Sequence, residues 1–422
     1  MAEPDTAAPT GSPGPTTDGV PVGAHARLFV LLTVFLDMVG FGIVIPVLPA
    51  LIGTVGHVDI GHAARLGGWM AAAYSLTQFL SGPLMGNLSD RYGRRPLMLL
   101  AIFGLGIDFL LHAVAPNMLW LFIGRVFAGI CGASWVIANA FIADITSPEE
   151  RGKAFARMGA AFGLGLVVGP AIGGILGELG PRVPFYAAAG ISLLNFVFGY
   201  FVLPETLTAE NRRPFQWRRA NPFGAFAIFR TYSGVLPMCA VLAAFFFCTS
   251  VYSAIWPFWA KVRFGWSEAM VGGTLAIFGV VMAVFQGGLA GPVVNKLGEF
   301  RTVLVGLIAA TIAVAGYGFV GGLVAVVALM LVHGPEGFVY PMLTALMSKR
   351  VPENAQGELQ GGLSAITNIA MLLGTVFFAQ IFGYGVGFEV PNPNLAYNVA
   401  AVGLALTTGL FLWVVGANGD KS

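Results

Sequence analysis

Twelve apolar stretches of bilayer length, joined by short polar segments, constrain this chain more than any other feature. A helix that crosses a ~30 Å hydrocarbon core needs about 20 apolar residues. Such stretches run at 28–51, 66–87, 96–115, 118–141, 154–178, 184–203, 234–260, 269–294, 301–319, 322–348, 358–384 and 395–416. Gly and Pro interrupt some of them, which is tolerated where neighbouring helices re-satisfy the backbone. Composition agrees, since 57% of residues are hydrophobic and 10% charged, against about 25% charged in a soluble domain. The expected class is an all-α integral membrane protein with the lipid bilayer as its surroundings.

Charge placement orients the stretches. With both termini cytoplasmic, 17 of the 22 Lys and Arg residues fall on cytoplasmic joints, while Arg65, Arg182, Lys261 and Arg263 lie outside and Arg125 lies within a helix. That bias predicts an inside–inside, twelve-helix topology. Residues 1–26, rich in Pro, Gly, Thr and Ala, read as a disordered cytoplasmic segment. They have neither the basic region nor the cleavage site of a secretory signal. Residues 27–203 form one set of six helices, 204–232 a proline- and arginine-bearing cytoplasmic linker, 233–416 a second set of six and 417–422 a tail. An offset of roughly 205 residues aligns the halves, as expected of inverted or parallel repeats in a transporter. Gly86 then falls on Gly291, and Gly169 on Gly374. The fold expected is two six-helix bundles with pseudo-two-fold symmetry. Cys131, Cys239 and Cys248 lie inside apolar runs and read as packing residues, so no metal or cofactor is expected. The net charge of +2 gives no case for nucleic acid.

Ionisable residues inside apolar runs are the candidates for function, because an arginine there costs about 2.5–3.5 kcal/mol on insertion scales. Asp37 sits about ten residues into the first helix, roughly 15 Å deep. Asp108 and Arg125 fall at similar depth in the third and fourth helices, so they can meet as a structural ion pair or serve in proton transfer. Burial raises a carboxylate pKa and a nearby Arg lowers it, so a side chain alternating between those influences can load and release protons. In the second half, His333 and Glu336 share a face of the tenth helix at i, i+3 spacing, beside the breakers Gly334, Pro335 and Gly337. Tyr74, Gln78, Trp135, Asn139, Asn195, Tyr252, Trp256 and Gln286 are candidates to line a substrate cavity. Tyr74, Gln78 and Gln286 stand first, since a buried amide needs a partner. Helix five carries GLGLVVGPAIGG at 163–174, in which Gly165, Gly169, Pro170, Gly173 and Gly174 mark a packing seam and hinge.

Residues 86–96 read GNLSDRYGRRP, and this segment is more particular than any basic joint. With a weaker copy in GPVVNKLGEFR at 291–301, it resembles the signature loop of the major facilitator superfamily of transporters. LDMVGFGIVIPVLP at 36–49, GRVFAGICGAS at 124–134, FIADITSPEERGKAF at 141–155, LPET at 203–206 and QGELQG at 356–361 narrow the resemblance to the drug:proton antiporters, above all the tetracycline efflux pumps. The resemblance implies proton-driven export of a drug-like small molecule by alternating access, by a chain able to act as a monomer and without enzymatic activity. It also implies coupling or drug-handling roles for Asp37, Asp108, Arg125 and Gln78. A conformational latch is expected of Gly86, Asp90, Arg91, Gly93, Arg94, Arg95 and Asp144, with Asp90 facing the N-terminus of helix eleven near Gly357 and Asp144 accepting from Arg94 or Arg95. Two positions depart from those pumps: Ala310 replaces an aspartate in helix nine, and Met282 replaces a histidine in helix eight. Import of a sugar or metabolite by symport or facilitation, and a sensor or scaffold without flux, are the rival readings.

Overall fold

The computed structural model describes residues 16–17, 20–21, 24–132, 134–147, 150–216, 228–232, 234–352 and 355–418. Most of the N-terminal segment, the linker residues Arg218 and Arg219, and the tail from 419 therefore lie outside the described residues. Before the first helix, Thr16–Thr17 pairs antiparallel with Val20–Pro21.

Among the described residues, ten helices are long and apolar enough to cross a membrane. One of them, Glu268–Tyr317, has 50 residues and would extend ~75 Å, about two and a half times the hydrocarbon thickness. Gly298 breaks it with φ 75°, giving two spans at 268–297 and 299–317. Ile60–Tyr92 is the remaining crossing; its polar side chains keep it below the apolarity of the others. In chain order the twelve spans are Ala26–Gly56, Ile60–Tyr92, Arg94–Val114, Met118–Asp144, Arg151–Gly177, Val183–Val202, Val235–Phe264, 268–297, 299–317, Leu323–Ser348, Gln356–Val386 and Leu395–Gly416.

Several boundaries differ from the sequence expectation because helices continue into the headgroup zone after the apolar run ends. The segment 86–96 is not a loop. Span 2 runs to Tyr92 and span 3 begins at Arg94, so the joint is Gly93 alone, at φ 106°. Gly86 lies within the helix. The Glu205 carboxylate fills the space beside Gly93, where a Cβ would lie 2.2 Å from Glu205 Oε2. It accepts the backbone N–H groups of Arg94 at 2.9 Å and Arg95 at 3.3 Å, satisfying the free donors at the start of span 3.

Packing repeats between the halves. Span 1 lies on span 5 as span 7 lies on span 11, and span 3 on span 6 as span 9 on span 12. Smaller contacts of span 7 with spans 1 and 2 and of span 8 with span 1 aside, two cross-contacts join the halves, span 2 with span 11 and span 5 with span 8. Both lie at the end opposite the Gly93 joint, which is called here the far end, the other being the basic end. A Cβ at Gly68 would lie 2.5 Å from that of Ala379, one at Gly174 2.5 Å from the Glu268 carbonyl, and one at Gly272 2.1 Å from the Pro170 carbonyl. Gln380 also donates to the Arg65 carbonyl, and the Arg65 guanidinium lies 5.0 Å from the Tyr384 ring centroid. Toward the basic end the same spans stand apart: at Gly159, Gly163, Gly287, Gly288, Gly291 and Gly357 a Cβ would meet nothing within 4 Å. The molecule is closed at the far end and open at the basic end.

Candidate functional site

Span 10 loses regular α-helix near its middle, where it tightens to a 3₁₀ turn over Gly334–Phe338 and Pro335 supplies no N–H. Span 4 is described as Met118–Cys131 and Ser134–Asp144, on either side of residue 133. The repeat offset of roughly 205 residues carries Gly132 of span 4 onto Gly337 of the span 10 turn, and corresponding mid-span positions of the two halves are where a transporter's binding region is expected.

Around Gly132 in span 4, Ser134 Oγ donates to Asp37 Oδ2 at 3.1 Å. Asp37 is buried, and its Oδ1 has no hydrogen-bond partner among the described residues. Gln78 Nε2 donates to the Gly132 carbonyl at 3.3 Å and to the Tyr74 hydroxyl at 3.1 Å. The Tyr74 ring centroid lies 6.0 Å from the Arg125 guanidinium. Arg125 Nε in turn donates to His112 Nε2 at 3.0 Å, and its Nη2 lies 3.6 Å from Asp108 Oδ2. His112 Nδ1 is 3.1 Å from Asp108 Oδ1. Those oxygens are within ion-pair reach, yet neither is aligned for a hydrogen bond, and both are buried. A polar chain thus runs through spans 1, 4, 2 and 3, from Asp37 to Asp108.

Around the break in span 10, fully buried His333 pairs through Nε2 with Glu336 Oε2. Its Nδ1 lies 3.5 Å from the Tyr317 hydroxyl, and the rings of Tyr252 and Phe278 pack on it at 4.5 and 4.8 Å. Tyr252 and Trp256 belong to this aromatic shell, with Trp256 Nε1 donating to Thr274. Met282 reaches the same break: a Cβ at Gly337 would lie 3.3 Å from its Cε. Ala310 is buried in the apolar core.

Other sequence candidates fall elsewhere. Asn195 is buried inside the first half, where it accepts from Thr33 at 3.4 Å, so it lies between spans 1 and 6 rather than between the halves. Gln286, expected as a buried amide, is exposed. Span 8 winds as a π-helix over Val284–Leu289, and the Gln286 side chain donates to the Gly337 carbonyl in the span 10 turn. Trp135 stacks edge-on against Phe162, and Asn139 donates to the Trp135 carbonyl within its own helix. At the basic end, Arg94 pairs with Asp90 at 2.6 Å and Asp144 at 3.1 Å, while Arg95 donates to the Tyr200 carbonyl and Arg91 lies over the Tyr92 ring. Asp90 therefore engages Arg94 and not the start of span 11, since the halves are apart there. The glycine seam of span 5 has two faces. Gly165, Gly169 and Gly173 sit on the span 1 backbone and Gly174 on span 8, while Pro170 meets both, its ring against Gly42 and its carbonyl against Gly272. His112 had no place in the sequence reading, and Ser134 and Glu205 entered it only within the segments 124–134 and 203–206. His112 was legible as the i+4 neighbour of Asp108 on one helix face.

A family model described as Major Facilitator Superfamily matches residues 30–375. The tetracycline resistance protein, class C, of Escherichia coli is 37% identical, covering 85% of this chain and 90% of that protein. The class G protein of Vibrio anguillarum is 35% identical over 86% and 91%. Among solved structures, the nucleoside transporter NupG is similar in fold at a TM-score of 0.76 and 14% identity, covering 92% of this chain and 98% of that one.

Proposed function

The chain belongs to the major facilitator superfamily, and from that premise we propose that it exchanges inward-moving protons for an outgoing, amphipathic, drug-like molecule. The distribution of Lys and Arg supports a cytoplasmic basic end, with both termini on the cytoplasmic side of a bacterial inner membrane, and on that reading this conformation is inward-open. Protons load on the N-terminal half, and alternating access follows from the far-end seams parting as the basic end closes.

The observation that carries this reading is the buried chain from Asp37 to Asp108. Carboxylate oxygens without a hydrogen-bond partner are costly in a water-poor interior unless a proton or a cation joins them. Asp37 is the primary proton carrier, with Arg125 and Asp108 setting its partner's charge. Relatives named for tetracycline resistance suggest the cargo class. With Met282 and Ala310 in place of a histidine and an aspartate, Glu336 and His333 supply the charged contact instead, from the break that Met282 touches. One chain holds both halves, so a monomer suffices.

The test is uptake of ethidium and of tetracycline into inverted vesicles driven by a pH step, with and without an uncoupler. Uptake of either probe, abolished by the uncoupler and by Asp37→Asn, is expected. Undiminished pH-driven uptake by Asp37→Asn removes Asp37 from the mechanism, and loss of preloaded probe from the vesicles driven by the same gradient would mark an importer.

A further inference from the structure

His112 is buried, titratable and unused by the mechanism above. Its Nε2 accepts the Arg125 Nε–H at 3.0 Å, and an imidazole nitrogen that accepts carries no proton. The ring is therefore neutral, with its proton on Nδ1. That N–H points at the Asp108 carbonyl at 2.9 Å, with Asp108 Oδ1 3.1 Å away. The ring stacks on Phe185 at 5.6 Å and 10°. Gly124 lies flush against it, since a Cβ there would come within 2.2 Å of His112 Cε1. The imidazole is held in one plane and one tautomer.

We propose that His112 is a proton-binding site of the transport cycle, and that loading it drives Arg125 off the ring. A proton arriving on Nε2 would put two N–H donors and two positive charges face to face at the present 3.0 Å separation. No hydrogen bond survives that arrangement. The imidazolium stays where it is, because Asp108 offers a carboxylate whose oxygens have no aligned donor among the described residues. Arg125 moves, since its remaining contacts are the looser ones, Asp108 Oδ2 at 3.6 Å and the Tyr74 face at 6.0 Å. One proton is bound, no covalent bond changes, and the guanidinium is handed toward the Tyr74–Gln78–Gly132 side of the chain that leads to Asp37.

The groups facing His112 from each packed element are few. Asp108 on its own span, Arg125 on span 4 and the Phe185 ring on span 6 touch it, while Cys131 of span 4 and Tyr74 of span 2 interact with Asp108 and Arg125 beside it. Arg182 donates to the carbonyls of Ala113 and Ala115 from the joint before span 6, and Asp37 of span 1 lies further along the chain.

The inference rests on the proton-exchange reading, so its test must separate the two. Selective ¹⁵N labelling of the five histidines, with His112 assigned by loss of its signal in His112→Gln, reads the ring in the purified full chain without any transport. A change of the Nε2 signal from the unprotonated to the imidazolium position as the medium is acidified is expected. A ring that stays neutral at every pH at which the protein remains folded overturns the proposal, whether or not the protein moves a probe. In liposomes, His112→Gln keeps an acceptor for Arg125 but has no imidazole to protonate. It should flatten the step that wild type shows in the pH dependence of ethidium exchange, about tenfold across two pH units. Persistence of that step in a folded His112→Gln protein also overturns it. Failure of wild type to respond to any pH step, with the ring titrating, sinks the antiport reading instead.

Discussion

Gly174→Ala tests the far-end seam. The added methyl would lie 2.5 Å from the Glu268 carbonyl oxygen and 3.0 Å from the Ala269 Cα. Both are backbone atoms of the first turn of span 8, so no rotamer change relieves the contact and the seam must widen. Overpacking of this kind costs about 1–3 kcal/mol. The cost arises only while spans 5 and 8 touch at this point, so it acts on one conformation and shifts the population away from it by about 5–150-fold. Spin labels at positions 159 and 291, where side chains meet nothing within 4 Å, report the width of the basic end. Gly174→Ala should move weight to shorter distances, because closing the basic end accompanies opening the far end. Gly173→Ala makes a worse contact, 2.1 Å from the Ile43 carbonyl, but against span 1 of its own half. It should lower the melting temperature and leave the distances alone. Gly163→Ala, pointing into open space, should do neither. Identical distance distributions for Gly174→Ala and wild type, or the same shift from Gly173→Ala, would refute the reasoning.

Glu336→Gln removes the negative partner of His333 and should abolish resistance to a cationic probe while leaving the fold intact; unaltered resistance removes the span 10 break from cargo handling. Glu205→Ala strips the cap from the start of span 3 and should cost about 0.5–2 kcal/mol, read as a lower melting temperature with an unchanged KM for transport. At the far end, the Ala269 N–H and the Ser267 hydroxyl donate to Glu178 and hold its carboxyl below the usual range. A depressed pKa in the closed seam means that this contact is intact above the ordinary carboxylate pKa and is lost only as pH falls through the lowered one. Acidification from about pH 8 to 5 should therefore leave the contact in place, whereas Glu178→Gln should loosen it; far-end cysteine labelling distinguishes the two.

The bilayer explains why so much of the fold was legible: it demands apolar runs of fixed length and sorts arginines to one side, and both marks survive in the sequence. Helix ends were not legible, because a span continues past its apolar run once water can solvate side chains. That is why GNLSDRYGRRP, a loop by hydropathy, is two helices meeting at Gly93. Asn195 and Gln286 show a second limit. Whether an amide faces a partner half, its own bundle or open space depends on packing order and on a π-turn, neither of which leaves a periodic trace. Asp90 shows a third, since a transporter sequence encodes every conformation of its cycle and the structure holds one.

The corresponding mid-span positions in spans 4 and 10 have a consequence for how such a molecule diversifies. The halves repeat one packing, yet the position in span 4 holds serine and aspartate beside an arginine–histidine pair, and the one in span 10 a histidine–glutamate pair ringed by tyrosines. On the proposed division of labour, substitutions around the later position would retune what is carried while the earlier one goes on handling the fuel. A repeated frame with unlike centres would then let cargo be exchanged without rebuilding the engine.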